Sequence, residues 1–409
     1  MKGMILKMSN KKILFIVFII MLISILTISA TSLAYIWSEN DVAIQISAGS
    51  NENTINLESE AAILIDQETG KVLFEKNSHE QLRPASVTKV MTILLIMEAI
   101  DNGEIKLEDK VSCSEKASSM GGSQIWLDTR ETLTVHEMLK AICVVSANDC
   151  TVAMAEHLAG TEEEFVKKMN KRAKELGMND TTFKNCHGID EDGHVTSAHD
   201  ISLMSRELLE KHPTITNYTT IYMDTLRDGK SELVNTNKLV RNYQGCTGLK
   251  TGSTSLALFN LSASATRDGL SLIAVIMKAP STKVRFAEAQ KLLNYGFSNY
   301  SSVSFGEKGD VIKKVIVEKG VEKELNALLG TKASVLIKKG QEKSVLQEMK
   351  IDEKISAPIE KNKKIGEAIY TLNGEILAKI DILAEKEIKK ITLWNMTSNL
   401  YTKWYKMLR

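Results

Sequence analysis

This chain has few prolines, few cysteines and no marked excess of charge of either sign, and each of these features argues against a class of protein. Only 4 of the 409 residues are proline, while 43% are hydrophobic and 25% are charged, a composition typical of a folded protein rather than of a disordered tail or a fibre. The 52 basic residues are balanced by 51 acidic ones, so the formal net charge of +1 gives no indication of a nucleic-acid partner. The length predicts two or three domains.

The five cysteines argue against a disulfide framework. Their odd number leaves at least one thiol unpaired, and five is few for an exported chain of this length. Cys143 and Cys150 are seven residues apart in a segment with helical periodicity, which corresponds to about 10 Å of rise on a continuous helix and is too far for a bridge. We therefore expect small, buried, unpaired side chains.

A zinc-peptidase motif is also absent. His136-Glu137 is followed by Met, Leu and Lys, so there is no His-Glu-x-x-His. His187 and His194 flank, and His199 follows, a Gly- and Asp-rich stretch, 188–193, that is typical of a loop beside a site. The sequence thus predicts neither a metal site nor a cofactor.

An almost unbroken apolar run covers residues 13–30, behind Lys11 and Lys12, and Ser32-Leu33-Ala34 follows it as a small-x-small cleavage site. This arrangement predicts an export signal over residues 1–34 and a linker over 35–56. The run could also just span a bilayer as an uncleaved anchor, so cleavage and retention both stay open.

Ser86-x-x-Lys89 is the first of three polar motifs that occur in the order of a serine acyl-transfer site. It opens a helix that we expect to begin near Pro84 and that is almost wholly apolar over 90–100. The first turn of a helix has free backbone N–H groups. Lys89, three residues after Ser86, lies on the same helix face as Ser86. A lysine in apolar surroundings loses its proton readily, so Ser86 is the candidate nucleophile and Lys89 its base. Otherwise the pair would be an N-cap serine and a solvated lysine.

The second motif begins 60 residues after Ser86, and the third begins a further 104 residues after the second. Ser146-Ala147-Asn148 interrupts apolar residues within a segment, 134–158, that we predict to be one helix. Lys250-Thr251-Gly252 lies on a strand over 248–252, followed by a hairpin of strands over 258–265 and 270–277. Lys250 and Thr251 can bind a substrate carboxylate, and Gly252 lets another backbone approach. Each triplet is weak alone, but their joint order is specific.

These motifs resemble the low-molecular-mass penicillin-binding proteins, the serine-type D-alanyl-D-alanine carboxypeptidases, from about Ala61 to the C terminus. The resemblance is carried by the segments 121–127 (GGSQIWL), 146–149 (SAND), 153–157 (AMAEH), 196–200 (TSAHD) and 248–252 (GLKTG). It implies an α/β (α+β) penicillin-binding/β-lactamase-like transpeptidase fold over residues 57–300, with an antiparallel sheet between helices. A β-rich domain over 301–388, suggested also by its β-branched runs, and an amphipathic helix over 389–409 would follow.

The resemblance further implies an acyl-enzyme on Ser86 that releases the terminal D-alanine of peptidoglycan stem pentapeptides and that β-lactams also form. The backbone N–H groups of Ser86 and Ser253 would form the oxyanion hole, Ser146 would relay protons and Asn148 would hold the acyl-side amide. Arg285, on a helix expected over 285–295, would help bind the terminal carboxylate, unless it is a solvated helix arginine.

Two departures concern the surroundings of the site. Members of the family usually have Gly where Ala147 stands, and residues 253–259 lack the Ala-Gly-aromatic pattern that many members show. Two other functions stay open at this point, a β-lactamase and a non-catalytic wall-binding or sensor protein. The extra β-rich domain and terminal helix argue against the first, and the intact motifs argue against the second.

The last segment, 389–409, places apolar and aromatic residues on one helical stripe and Lys403, Lys406 and Arg409 toward the other side. This pattern is typical of a helix in a membrane interface, although a helix packed on the protein itself would also fit. We therefore expect an exported enzyme at the outer face of the cytoplasmic membrane or in the cell wall.

Overall fold

The structure, a computed structural model, describes residues 55–392 together with residues 394, 397, 404 and 407. The predicted export signal and nearly all of the predicted linker lie outside the described residues. Among the described residues, no helix is long and apolar enough to cross a membrane.

The part of the chain before residue 300 contains both helices and strands. The strands are β1 (Ala61–Asp66), β2 (Val72–Lys76), β3 (Lys110–Ser112), β4 (Thr132–Thr134), β5 (Met223–Leu226), β6 (Ser231–Val234), β7 (Cys246–Thr254), β8 (Leu258–Arg267) and β9 (Leu270–Ala279). The helices are α1 (Lys89–Asp101), α2 (Glu115–Ser118), α3 (Val135–Val144), α4 (Asn148–Ala159), α5 (Glu162–Glu175), α6 (Ala198–Lys211), α7 (Thr216–Thr219), α8 (Leu239–Asn242) and α9 (Thr282–Asn299).

A five-stranded sheet in the order β2-β1-β9-β8-β7, antiparallel throughout, lies between helices as predicted. Side chains alternate across β1, so Ile63 and Ile65 join the core formed with the helices before residue 220, while Leu64 faces Gly296 of α9. Both faces of β1 are covered, and all of its residues are buried. The predicted hairpins β1–β2 and β8–β9 are present.

Two predicted helices differ from the structure. Residues Ala85–Thr88 form a 3-10 turn, and α1 begins only at Lys89. The single helix over 134–158 is wrong, because α3 ends at Val144 and α4 begins at Asn148. The break is held by the buried carboxylate of Asp149, which accepts hydrogen bonds from the backbone N–H groups of Ile125 and Leu127 in a distant loop.

The five cysteines are all free, as expected, although the continuous helix used in that argument does not exist. Four of them are buried, and burial raises the pKa of the Cys143 thiol to about 12. They are therefore packed, protonated side chains rather than reactive thiolates.

The C-terminal part is built from strands, as predicted. They are β10 (Tyr300–Gly306), β11 (Val311–Glu318), β12 (Glu324–Leu329), β13 (Ala333–Lys338), β14 (Val345–Ile351), β15 (Lys354–Ser356), β16 (Lys364–Leu372) and β17 (Glu375–Ala384). The ladder β10–β13 and a six-stranded sheet in the order β14-β16-β17-β12-β11-β15 share one apolar cluster that includes Val335, Tyr370 and Ile382.

The predicted terminal helix is described at four positions only. Trp394, Thr397, Trp404 and Met407 are helical, and the side chains of Trp394 and Met407 are 80% and 79% exposed. Four positions do not establish an amphipathic helix, so it stays a prediction.

Candidate active site

Ser86 and Lys89 lie at the junction between the 3-10 turn and α1, with Ser86 half-buried. Lys89 is fully buried, and its Nζ lies 3.0 Å from Ser86 Oγ, 2.6 Å from Asn148 Oδ1 and 2.7 Å from the His187 carbonyl oxygen. Burial, followed by the positive charge of Lys250, holds the pKa of Lys89 well below its usual range. A neutral amine at this distance can accept the serine proton. The solvated lysine considered above is therefore wrong.

The second motif faces the same amine. Asn148 donates from Nδ2 to the Gly121 carbonyl oxygen at 2.7 Å, and its backbone N–H donates to the Ser123 carbonyl oxygen at 2.7 Å. Ser146 lies in the break between α3 and α4 with a φ of +66°. Its Oγ is buried and has no hydrogen-bond partner within the described part of the chain. A buried hydroxyl without a partner is energetically costly.

The third motif lies on β7, as predicted. Lys250 is buried and donates to the Thr251 carbonyl oxygen at 3.0 Å, while Thr251 Oγ1 donates to Thr236 Oγ1 at 2.8 Å. Burial, with a smaller contribution from the charge of Arg285, lowers the pKa of Lys250 to about 7. An anion bound beside it would favour the charged ammonium form.

Gly252 brings β7 into direct contact with the turn that carries the nucleophile. A Cβ at this position would lie 2.8 Å from the Pro84 carbonyl oxygen and 2.9 Å from the backbone nitrogens of Ser86 and Val87. Only a glycine permits this approach, which is what the sequence predicted for Gly252. The neighbouring Ser253 is exposed at the same edge and pairs with Phe259 of β8.

Arg285 lies behind this edge, in the first turn of α9. It is buried, and its Nη1 donates to the carbonyl oxygens of Gly252 at 3.0 Å and of Asn260 at 3.2 Å. Burial lowers its pKa to about 10. The solvated arginine is therefore excluded, and the helix predicted from residue 285 begins at Thr282, after the Ser281 side chain caps it. Arg285 holds β7 and β8 together beside Gly252.

Sequence reasoning missed two parts of this site. The His187 carbonyl oxygen bonds Lys89, and Gly188 then passes so close to the nucleophile turn that a Cβ would lie 1.9 Å from the Ala85 carbonyl oxygen. Thr236 was also missed, although it holds Thr251. The Gly-rich composition of 188–193 was a usable signal for the loop, but a backbone carbonyl carries no residue-type signal at all.

Two buried histidines accompany this loop. His194 contacts Thr88 Oγ1 through Nε2 at 2.8 Å and accepts the backbone N–H of Lys184 at Nδ1. Burial lowers the pKa of His194 and of His187 to about 4 in each case. Both rings are therefore neutral near pH 7.

Comparison with known proteins agrees with this geometry. The family model for D-alanyl-D-alanine carboxypeptidases of peptidase S11 matches residues 38–281. The chain belongs to this family. The carboxypeptidase also matches the model of the penicillin-binding protein 5 C-terminal domain over residues 300–390. It is 46% identical over 362 residues to the D-alanyl-D-alanine carboxypeptidase DacF of Bacillus subtilis, covering 87% of this chain and 93% of that protein.

Solved structures extend the likeness. Penicillin-binding protein 5 of Haemophilus influenzae is 30% identical with a TM-score of 0.69, over 82% of this carboxypeptidase and 98% of that chain. Penicillin-binding protein D2 of Listeria monocytogenes, solved in an ampicillin-bound form, is 32% identical with a TM-score of 0.55, over 59% and 99% of the two chains. The carboxypeptidase has the penicillin-binding/β-lactamase-like fold followed by an all-β part, and it is a serine-type D-alanyl-D-alanine carboxypeptidase. The β-lactamase and the non-catalytic sensor are not favoured.

Proposed function

We propose that the carboxypeptidase acts on peptidoglycan stem peptides ending in D-Ala-D-Ala through Ser86 as nucleophile and Lys89 as its base. The observation that carries this proposal is the 3.0 Å separation between a fully buried Lys89 Nζ and Ser86 Oγ. Burial holds the pKa of Lys89 well below its usual range and so favours the neutral amine, and a neutral amine within hydrogen-bond reach can activate a serine nucleophile.

Acylation begins when Ser86 Oγ attacks the carbonyl carbon of the penultimate D-alanine and its proton passes to Lys89. The developing oxyanion is stabilised by the backbone N–H groups of Ser86 and Ser253, whose strand packs against the nucleophile turn at Gly252. The C–N bond then breaks as its nitrogen takes, through Ser146, the proton that Lys89 received, and free D-alanine leaves. Water hydrolyses the ester on Ser86 and releases the shortened stem peptide.

The third motif, Lys250-Thr251-Gly252, binds the terminal carboxylate of the substrate. Lys250 supplies the positive charge and Thr251 a hydroxyl group, and Gly252 keeps the strand close to Ser86. Arg285 supports this function from behind, because its guanidinium bonds the Gly252 carbonyl oxygen and adds positive charge. Asn148, held by Gly121 and by Lys89, presents its amide to the acyl side of the substrate.

We expect penicillin to acylate Ser86, as the ampicillin-bound relative suggests. Incubation with benzylpenicillin and digestion with trypsin should give one adduct, on the peptide of residues 77–89, detected by mass spectrometry. The adduct should outlast the digestion, because a denatured and digested chain no longer catalyses hydrolysis of the ester. Catalytic accumulation of hydrolysed penicillin without an adduct would instead favour the β-lactamase, and an adduct on another peptide would remove Ser86 from the mechanism.

We propose that the protein is exported and works at the outer face of the cytoplasmic membrane, with residues 389–409 in the membrane interface. A chain starting at residue 35 should sediment with anionic phospholipid vesicles, and one that also ends at Thr392 should stay in solution. Truncation there retains Lys390, which pairs with Gly320, and so spares the folded part. Equal sedimentation of the two chains would contradict the proposal.

A further inference from the structure

His79, Asp180 and His199, none of them part of the site described above, form a cluster in which His79 is exposed to solvent. One potential ligand atom from each lies within 4.8 Å of the others. His79 Nδ1 is 2.8 Å from Asp180 Oδ2, and the two imidazole rings stack with their centroids 4.3 Å apart. Imidazole nitrogens and a carboxylate oxygen are common ligands of Zn²⁺ in proteins, and three protein ligands leave a position for water.

The backbone around this cluster is already fixed. Leu82 and Thr196 exchange two hydrogen bonds, at 2.7 Å and 2.9 Å, and the His199 N–H donates to the Ser78 carbonyl oxygen at 2.8 Å. The segment that carries His79 is thereby held against the N terminus of α6, which carries His199. Binding a metal ion would require side-chain rotation and no rearrangement of the chain.

A second carboxylate orients His199. Asp200 is buried, and its Oδ1 lies 3.2 Å from His199 Nδ1. The other oxygen, Oδ2, accepts the backbone N–H of Asp180 at 2.8 Å and the Thr181 hydroxyl at 2.7 Å. A carboxylate on one ring nitrogen directs the other nitrogen, here Nε2, toward a metal ion, and such pairs accompany metal-bound histidines.

Asp180 is held in place as well. Its Oδ2 accepts the Ser197 hydroxyl at 3.1 Å in addition to its contact with His79. The side chain of Asp180 is 24% exposed and that of His79 is 63% exposed, so an ion can enter from solvent. The carboxylate therefore faces both the imidazole and solvent.

We propose that His79, Asp180 and His199 bind one Zn²⁺ ion that links the segment leading to Ser86 with the segment leading to His187. His79 lies seven residues before Ser86. Asp180 likewise lies seven residues before His187, whose carbonyl oxygen bonds Lys89. The ion takes no part in the acyl transfer proposed above. The sequence predicts no metal site here, since ligands 101 and 19 residues apart form no local motif.

Calorimetric titration of ZnCl₂ into the metal-stripped full chain in detergent tests the site. We expect one ion per chain, and His79→Ala, His199→Ala and Asp180→Asn should each weaken binding at least about ten-fold. Asp180→Asn preserves the shape of the side chain and an oxygen acceptor. His157→Ala, at an exposed histidine of α4, is the matched control and should bind as the wild type does. CaCl₂ should not bind, because Ca²⁺ prefers oxygen ligands.

Thermal unfolding supplies a second readout. Zn²⁺ should raise the melting temperature of the wild type and of His157→Ala but not of the three cluster variants, because only a folded-state site is stabilised by its ligand. Melting without metal shows whether a variant has lost its fold. Wild-type protein that binds no Zn²⁺ at tens of micromolar, or folded cluster variants that bind and stabilise like the wild type, would overturn the proposal.

Discussion

Replacing Ser86 by Ala is expected to reduce the release of D-alanine from a stem peptide ending in D-Ala-D-Ala by the order of 10⁶-fold, as loss of a peptidase nucleophile does. The substitution removes the only atom that can form the acyl-enzyme in this mechanism and leaves its surroundings in place, since Lys89 Nζ keeps its bonds to Asn148 and to the His187 carbonyl oxygen. Release is measured as free D-alanine over time at saturating substrate.

Ser255→Ala is the matched control for this experiment, because it removes an exposed hydroxyl in the loop after β7. Its turnover should stay within a few-fold of the wild type. If Ser86→Ala releases D-alanine at more than a thousandth of the wild-type rate, a group other than Ser86 forms the acyl-enzyme. If the wild type releases no D-alanine, the result would favour the alternative function, a non-catalytic sensor.

The residues of the active site could be predicted from the sequence more accurately than the helix and turn boundaries around them. Ser86, Lys89 and Lys250 could be found because their order and residue types carry the signal. The break at Ser146 could not, since apolar residues continue with helical spacing on both sides of it. Beside the break, Asp149 bonds a loop more than twenty residues away, and sequence periodicity reports only local preferences.

The two departures from the family pattern differ in what the structure says about them. Ala147 has a φ of −56°, a value open to any residue, so the backbone there does not require the Gly that family members usually have. After Gly252, the strand continues through Thr254 and pairs with β8 despite the unusual residues. The conformation beside the site is thus maintained by strand pairing rather than by the family's usual side chains.

Replacing Lys89 by Met is expected to slow acylation of Ser86 by a fluorescent penicillin by about 10²–10⁴-fold, the usual effect of losing a general base. Met is similar in length and fits a fully buried position, but it has no nitrogen to accept the serine proton. The second-order rate constant for adduct formation, followed by gel fluorescence, measures the effect.

Loss of activity alone would not separate a base from a structural lysine, because Met also leaves Asn148 Oδ1 and the His187 carbonyl oxygen without their donor. Lys89→Arg makes the distinction: arginine can donate to both oxygens but stays protonated, so it should not restore acylation. Ser146→Ala should slow acylation less than Lys89→Met does, since Ser146 Oγ makes no hydrogen bond to Ser86 or Lys89. Recovery with Arg, or a larger loss with Ser146→Ala, would move the base away from Lys89 and leave it a positioning role.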